Sequence, residues 1–436
     1  MRAERILSTE TVASDRIAIS RKAAIDLQQR IATLASCTEK PGEILRTFLS
    51  SPMEEVHQHL GAWLEGAGMQ VNVDSAGNLR GLYESNLGQS SPTLLIGSHL
   101  DTVPNAGGYD GVLGVLIGLA LVEGLRGRRM PYAIEVIGFS DEEGTRFGVP
   151  FIGSRALAGT LFEEALLASK DSSGITVREV LEQYGANHPE AIPSVLTSRT
   201  AGYLEFHIEQ GPVLESRNLS LGVVQSIVGQ TRCRLVFKGK SGHAGTSPMG
   251  LRRDALAAAA SWMIQCEAIA SGTEGLVATV GQISVEPGGV NVIPGVARCS
   301  LDVRHPDNGV LGLAVENILS EAHAIANARG LAIETDIYHT QPAVHLDSNM
   351  IEISEAAVRK AGFESIRMTS GAGHDAMVIA PHVPSTMIFL RSPGGISHHP
   401  DENVLIEDIE AAIHAGLCFL DEFAIFVIKK ESDSRA

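Results

Sequence analysis

A chain of 436 residues is too long for one ordinary hydrophobic core and is expected to form two or three domains. Hydrophobic residues at 44% and charged residues at 19% describe a globular chain with ample core and argue against intrinsic disorder. A formal net charge of −17 argues against a nucleic-acid partner, which is bound by clustered Lys and Arg, yet is compatible with a small anionic substrate in a pocket whose local field opposes the global one.

From about residue 20 to 68 the apolar residues fall at helical spacing, with Ile25, Leu27, Ile31 and Leu34 followed by Val56, Leu60, Trp63 and Leu64. The pattern predicts helices packed on a sheet. Residues 69–73 and 79–83 alternate around Ser75-Ala76-Gly77-Asn78 and predict a hairpin. The apolar run 94–96 predicts a buried strand that delivers His99 just past its carboxyl end. Asp101 lies two residues on, on the same side of an extended chain, so it can accept the other ring N–H and fix the tautomer. Asp110 stands among glycines directly before the apolar segment 112–125, where a helix begins and its N–H dipoles favour a carboxylate able to bridge two cations.

Residues 132–139 predict the next strand, which runs into Ser140-Asp141-Glu142-Glu143. Successive side chains diverge, so Glu143 can ligate a metal while Glu142 reaches over the metal's water as general base. An extended run, 204–208, delivers His207 before a Gly-Pro break, and residues 386–390 form a strand leading to Ser397-His398-His399-Pro400. Four strands thus end beside a histidine or a carboxylate. Open parallel sheets place their sites outside the carboxyl edge, so His99, Asp110, Glu143, His207 and His398 can converge although far apart in sequence. Three histidines, a terminal acid and a bridging acid suit two zinc- or manganese-like cations with positions open for water.

Between His207 and His398 the character changes. Residues 222–340 read strand (231–238), helix (251–271), strand (276–285), strand (295–304), helix (310–329), strand (331–337), the order of a split βαβ, ferredoxin-like unit. The expected fold is therefore α/β: a mostly parallel-sheet catalytic domain from residues 1–220 and 341–436, interrupted by an inserted α+β domain at 221–340. Ser241-Gly242-His243-Ala244-Gly245 is a glycine-flanked histidine after the first inserted strand, Gly288-Gly289-Val290-Asn291 lies in the loop joining the middle strands, and Arg304 closes the strand after it.

Six words in one order carry a resemblance: Gly97-Ser-His-Leu-Asp-Thr, Asp141-Glu-Glu-Gly-Thr-Arg-Phe, His207-Ile-Glu-Gln-Gly-Pro-Val-Leu-Glu, Gly242-His-Ala-Gly-Thr-Ser-Pro-Met, Ser370-Gly-Ala-Gly-His-Asp-Ala and Gly395-Ile-Ser-His. The chain resembles the M20 metallopeptidase superfamily, and within it the hydantoinase/carbamoylase branch of N-carbamoyl-L-amino-acid hydrolases, β-ureidopropionases, allantoate amidohydrolases and ureidoglycolate amidohydrolases. The resemblance spans residues 20–424. It implies a dinuclear Zn2+ or Mn2+ site with His99, Asp110 as bridge, Glu143, His207 and His398 as ligands, and Glu142 as base. It implies too that the inserted domain is a lid and dimerisation domain, that His243 and Asn291 approach the scissile group, and that Gln230 and Arg304 hold the substrate. By the same resemblance, Gly371, Ala372 and Gly373 present backbone N–H groups to a carboxylate, with His374 beside them.

Thr145 stands where many relatives have Ser, and His398 is preferred over His399 because the family pattern is Ser-His-x-Pro. The stretch from Phe389 to Val404 is most like allantoate amidohydrolases, so the expected reaction is hydrolysis of a ureido acid, allantoate to ureidoglycine, ammonia and CO2, in a homodimer. Two other classes are weighed. An M20 peptidase or aminoacylase would cleave an acyl amide, against which Gln210-Gly211-Pro212 and Arg304 speak, and a non-catalytic binding relative would have lost a ligand or base. Five scattered cysteines, Cys37, Cys233, Cys266, Cys299 and Cys418, form no C-x-x-C pair. The charged N-terminus is unlike a signal peptide, and no run of about 18 uninterrupted apolar residues predicts a membrane span. The expectation is a cytoplasmic protein.

Overall fold

The computed structural model describes residues 2–161 and 163–433, with side chains described from residue 16 onward apart from 162, 431 and 433. The charges at residues 2–15 on which the signal-peptide expectation partly rests lie outside the described side chains. The chain forms two compact units, Met1–Gln225 with Leu346–Met368 and Ala372–Ala436, and Ser226–His345 with Thr369–Gly371.

The strands in chain order are β1 (Gln70–Val73), β2 (Leu79–Tyr83), β3 (Thr93–His99), β4 (Ala133–Phe139), β5 (Thr200–Ile208), β6 (Leu221–Ile227), β7 (Gly229–Lys238), β8 (Gly242–His243), β9 (Val277–Thr279), β10 (Ile283–Glu286), β11 (Val292–Ile293), β12 (Val296–His305), β13 (Ala332–Gln341), β14 (Val344–His345), β15 (Arg367–Ser370) and β16 (Ser385–Leu390). In the first unit they lie in the order β1-β2-β4-β3-β5-β16-β6. The four central strands β4, β3, β5 and β16 are parallel, but β1, β2 and β6 pair antiparallel at the flanks. The sheet is mixed rather than mostly parallel. The expected hairpin supplies one antiparallel flank, because a short turn can only return the chain antiparallel.

The central strands are nearly continuous apolar runs, as strands covered on both faces require. The helix Val112–Gly124 is apolar all round, and every residue from Val112 to Val122 is buried. It packs on β3 and β5 and against the helices Arg2–Ser36 and Ile406–Asp433. Of the two early helices, only Ser51–Gly66 lies on the sheet, against β1 and β2, whereas Arg2–Ser36 rests on other helices. Segment Ile406–Lys430, with a stretch of mean hydropathy 1.8, is long and apolar enough to cross a membrane, although Asp421 and Glu422 interrupt its apolar run. The share buried inside the fold is 61%, including Ile409, Ile413, Phe419 and Phe423. A second apolar cluster, including Phe48, Phe147, Ile152, Leu167 and Leu181, anchors the segment that follows Glu143.

The second unit runs strand, helix Ala255–Ser271, strand pair, helix Asn308–Ala328, strand, with sheet order β10-β12-β7-β13 and all neighbours antiparallel. This is the order of a split βαβ unit. Its two helices cover one face over Leu235, Phe237 and Leu301, and Trp262 of the first helix donates its indole N–H to the Ile318 carbonyl of the second at 3.1 Å. The strand expected at 276–285 is broken. Thr279 faces Asp302 and Ile283 faces Cys299, four residues against three, so one extra residue bulges at 280–282. All five cysteines are buried and free.

Gly114 marks the closest approach of helix to sheet in the first unit, since a Cβ there would lie 2.0 Å from the Phe206 carbonyl oxygen. Gly114→Ala is therefore expected to force the helix off β5 and to destabilise the protein by about 1–3 kcal/mol or more. Thermal denaturation of the variant beside Ala120→Gly, a change within the same helix without that clash, checks it.

Candidate metal centre

Because β4, β3, β5 and β16 run parallel side by side, their carboxyl ends share one edge of the sheet, and there the chain's histidines and acids collect. His99 is the last residue of β3 and His207 the last but one of β5. Asp110 arrives from the loop before the helix Val112–Gly124, turned by Gly111 at φ +68. A side chain at Gly111 would sit 2.5 Å from the His99 ring, so only glycine allows this loop to close over the imidazole.

The ligand atoms of His99, Asp110 and His207 lie within 4.8 Å of one another, as do those of Asp110, Glu143 and His398, and those of His99, Glu142 and Glu143. Asp110 belongs to two of these groups, and its oxygens divide between them. His207 Nε2 lies 3.1 Å and His99 Nε2 3.5 Å from Oδ1, while His398 Nε2 lies 3.5 Å from Oδ2 and 3.2 Å from Glu143 Oε1.

Both buried imidazoles turn Nδ1 to a backbone carbonyl, His207 to Ile208 at 2.9 Å and His99 to Asp101 at 3.0 Å. That leaves the two Nε2 lone pairs 3.5 Å apart and facing Asp110 Oδ1, which is buried and accepts no hydrogen bond from any neutral group. Three acceptors thus converge on one another. Only positive charge relieves that arrangement, and the titration behaviour follows. Burial opposes charge on His99, but Asp101 and Asp110 push its pKa well above the ordinary value, and Asp110 raises His207 against the same penalty. Against burial, the two imidazoles hold Asp110 well below the usual carboxylate range. A nitrogen and oxygen donor set of this kind fits Zn2+ or Mn2+.

Glu142 and Glu143 follow β4 on a loop pinned at several points. The Ser140 N–H donates to Asn78 Oδ1 at 3.1 Å, and the Glu142 and Glu143 N–H groups donate to the two Asp101 oxygens at 2.9 and 3.1 Å. Asp101 therefore meets the His99 ring through its carbonyl, its carboxylate being farther at 3.5 Å, and spends that carboxylate on orienting the two glutamates. Burial pushes the Glu142 carboxyl well above its ordinary value, with Glu143, Asp375 and Asp101 adding to the effect and His99 opposing it. His398 sits in the left-handed region at φ 55 and is half exposed, whereas the neighbouring His399 turns to Asp401.

The remaining expected site residues divide between the two units. His374 is fully buried, its ring 4.4 Å from that of His207 and 5.6 Å from Phe389, and burial lowers its pKa well below the ordinary value. Ala372 and Gly373 precede it in the first unit. In the second unit, the exposed His243 on β8 pairs with Val292 on β11, and the Ala244 N–H donates to the Asn291 carbonyl at 2.9 Å. Gln230 and Arg304 face one another across β7 and β12, and both donate to Asp302. The Gly371 carbonyl oxygen accepts from Arg304 Nη1 at 2.7 Å.

The family model described as Peptidase family M20/M25/M40 matches residues 95–422. The chain belongs to this family. Among curated relatives, the M20 chain is 36% identical to the "Probable allantoate deiminase" of Oryza sativa subsp. japonica, covering 91% of this chain and 88% of that one. It is 38% identical to the "N-carbamoyl-L-amino acid amidohydrolase" of Geobacillus stearothermophilus, over 88% of this chain and 94% of the relative. Among solved structures, an amidase of the hydantoinase/carbamoylase family from Burkholderia multivorans superimposes with a TM-score of 0.85 at 31% identity, covering 92% and 97% of the two chains. This M20 protein is an amidohydrolase, acting on C–N bonds of the amide and ureido class.

Sequence reasoning missed several groups that hold the M20 site in place. Gln210 Nε2 and Ser397 Oγ each donate to Asp110 Oδ2 at 2.8 Å, with Gln210 itself at φ 58. Glu402 Oε1 accepts the N–H groups of Tyr109 and Asp110 at 2.9 and 3.0 Å. Glu205 lies on the same face of β5 as His207 and accepts from Ser98, Tyr203 and the Ala376 N–H. The fully buried Arg46 donates to the carbonyls of Leu34, Cys37 and Leu100 behind His99, and burial lowers its pKa to about 10. An acid inside an apolar strand was a legible signal for Glu205; the others come from loops whose paths sequence does not reveal.

Burial, and then the charge of Asp110, push the Glu402 carboxyl from 4.5 to about 7. A carboxyl raised on folding favours the folded state below its unfolded value and loses that contribution as pH climbs through the folded value. Chelator-treated protein should therefore lose stability between about pH 4.5 and 7, and Glu402→Gln should flatten that decline. Urea midpoints measured at pH 5 and 7.5 for both proteins check the prediction.

Proposed function

We propose that this M20 amidohydrolase hydrolyses the ureido group of a small ureido acid, with allantoate as the first candidate, and that His99, Asp110, Glu143, His207 and His398 hold two divalent cations shared through Asp110. The observation that carries the reading is the buried, unsatisfied Asp110 Oδ1 facing two imidazole lone pairs, in a chain whose relatives are named for allantoate and N-carbamoyl amino acids. Bound divalent cations would supply Lewis acidity and an acidified water.

The chain's own residues do the rest. Asp101 holds the backbone of Glu142, so its carboxylate stays over the reacting water. Glu142 takes a proton from that water as its oxygen bonds to the ureido carbon, and its raised affinity for the proton matches that role. It then delivers the proton to the nitrogen of the C–N bond that breaks. Ammonia leaves, and the resulting carbamic acid falls apart to an amine and CO2. We assign the substrate's carboxylate to Arg304 with Gln230, because a planar guanidinium pairs with a carboxylate at two points. His243 and Asn291 are assigned to the ureido group, and the 371–374 segment to a second polar contact.

A second reading, N-carbamoyl-L-amino-acid hydrolysis, is favoured by the 38% identity to the Geobacillus stearothermophilus relative. β-Ureidopropionate and ureidoglycolate are further candidates of the same class. We also read the protein as a cytoplasmic homodimer. Free, buried cysteines suit a reducing compartment, and closed dimers are the commonest oligomers. The edge strand β13 of the second unit, which exposes Ile337 and Tyr338, offers a contact for a second copy.

The test is ammonia release from allantoate, N-carbamoyl-L-alanine, ureidoglycolate and an N-acetyl amino acid by manganese- or zinc-loaded protein. Allantoate is expected to be turned over fastest, with Glu142→Gln lowering kcat by about 10²–10⁴ while leaving metal content unchanged. Chelation should abolish turnover, and either metal should raise the Tm of wild type more than that of Asp110→Asn. A faster N-carbamoyl-L-alanine would move the substrate assignment alone, and hydrolysis confined to the acyl compound would remove the ureido reading.

A further inference from the structure

The strongest polar hub of the second unit is a residue the ureido-acid reading does not use. Asp302 stands two residues before Arg304 on β12, opposite Arg232 on β7. Four N–H groups converge on its carboxylate: Arg304 Nε on Oδ1 at 2.8 Å, and Gln230 Nε2, Arg232 Nε and Arg304 Nη2 on Oδ2 at 2.7, 3.0 and 3.1 Å. Although burial opposes it, Arg304 and Arg232 hold this carboxyl below the usual range.

The geometry at Arg304 is more specific than an ion pair. Asp302 takes the guanidinium by its Nε and Nη2 edge, and the Gly371 carbonyl takes one N–H of Nη1 at 2.7 Å. Of the five N–H groups, one on each terminal nitrogen is left to donate to an incoming carboxylate. Charge agrees: two guanidiniums and one carboxylate leave a single positive charge. Alongside lies a groove of about 600 Å³ lined by Arg232, Ser300, Tyr338 and the Asp302–Arg304 pair, with Gln282 of the bulge in its lining.

We infer that Asp302 is the positioning residue for substrate carboxylate recognition: it clamps Arg304 and Gln230 so that the free N–H pair of Arg304 is presented to a monocarboxylate. The inference rests on the reading of Arg304 as the carboxylate's receptor. An arginine without that clamp would swing through its rotamers and lose more freedom on binding.

The experiment compares wild type, Asp302→Asn and Arg304→Ala in steady-state kinetics on allantoate and N-carbamoyl-L-alanine, each beside its uncharged amide. Asp302→Asn is expected to raise KM for the acids about ten-fold or more with kcat changed less than about three-fold, and to leave KM for the amides unaltered. A merely structural role would change acids and amides alike, and a lower KM for the acids would make Asp302 a competitor for the fork; either overturns the inference. If Arg304→Ala raises KM for the acids and Asp302→Asn does not, the inference alone fails. If Arg304→Ala leaves it unchanged, the carboxylate reading fails and the inference with it. Asp302→Glu, which keeps the charge but shifts the carboxylate by one methylene, is read by the same KM split should Asp302→Asn not fold.

Discussion

One buried carboxylate constrains most of the first unit. Asp110 has its Oδ2 held by Gln210 and Ser397, its N–H held by Glu402, and its Oδ1 left facing two imidazole lone pairs. Burying an ion with an unsatisfied oxygen is costly unless opposite charge is supplied. The surrounding structure is arranged to make that cost local: Gly111 lets the loop close on His99, and the carbonyls of Asp101 and Ile208 commit both Nδ1 atoms so that both Nε2 atoms point inward. Positive charge is what completes the arrangement, whether protons or cations carry it.

Around that point, rigidity is built from elements with little freedom to move. Four parallel strands bring their carboxyl ends together, a helix without a polar face fills the layer behind them, and Arg46 ties three carbonyls beside the His99 strand. Asp101 lends its carboxylate to two consecutive N–H groups, which fixes the backbone from which Glu142 and Glu143 project. The left-handed backbone at Gln210 and His398 is the local strain this packing sustains, and both residues touch the same carboxylate.

The second unit solves a different problem with similar means. Its helices bury one face of the sheet, leaving the other to alternating charges, where Asp302 gathers Gln230, Arg232 and Arg304. Residues of the bulge between β9 and β10 line the groove beside that cluster. In the proposed function, recognition of a small acid would fall to side chains on this strand pair, where register sets their spacing.

Much of this was legible in the sequence because it depends on local pattern. Apolar runs of strand length, ending at or shortly before His99, Glu143, His207 and His398, encode both the buried strands and the side chains beyond their ends, since period and direction are properties of neighbouring residues. The order of elements in residues 222–340 was readable for the same reason. Pairing across long separations was not. The antiparallel flanks of the sheet, the bulge at 280–282, the turn of Asp101 toward the glutamate backbone and the grip of Gln210, Ser397 and Glu402 on Asp110 join segments up to nearly 300 residues apart. Such contacts are selected by how all the elements pack together, so the tertiary structure alone decided them, while the residue types able to do the chemistry were determined by the sequence itself.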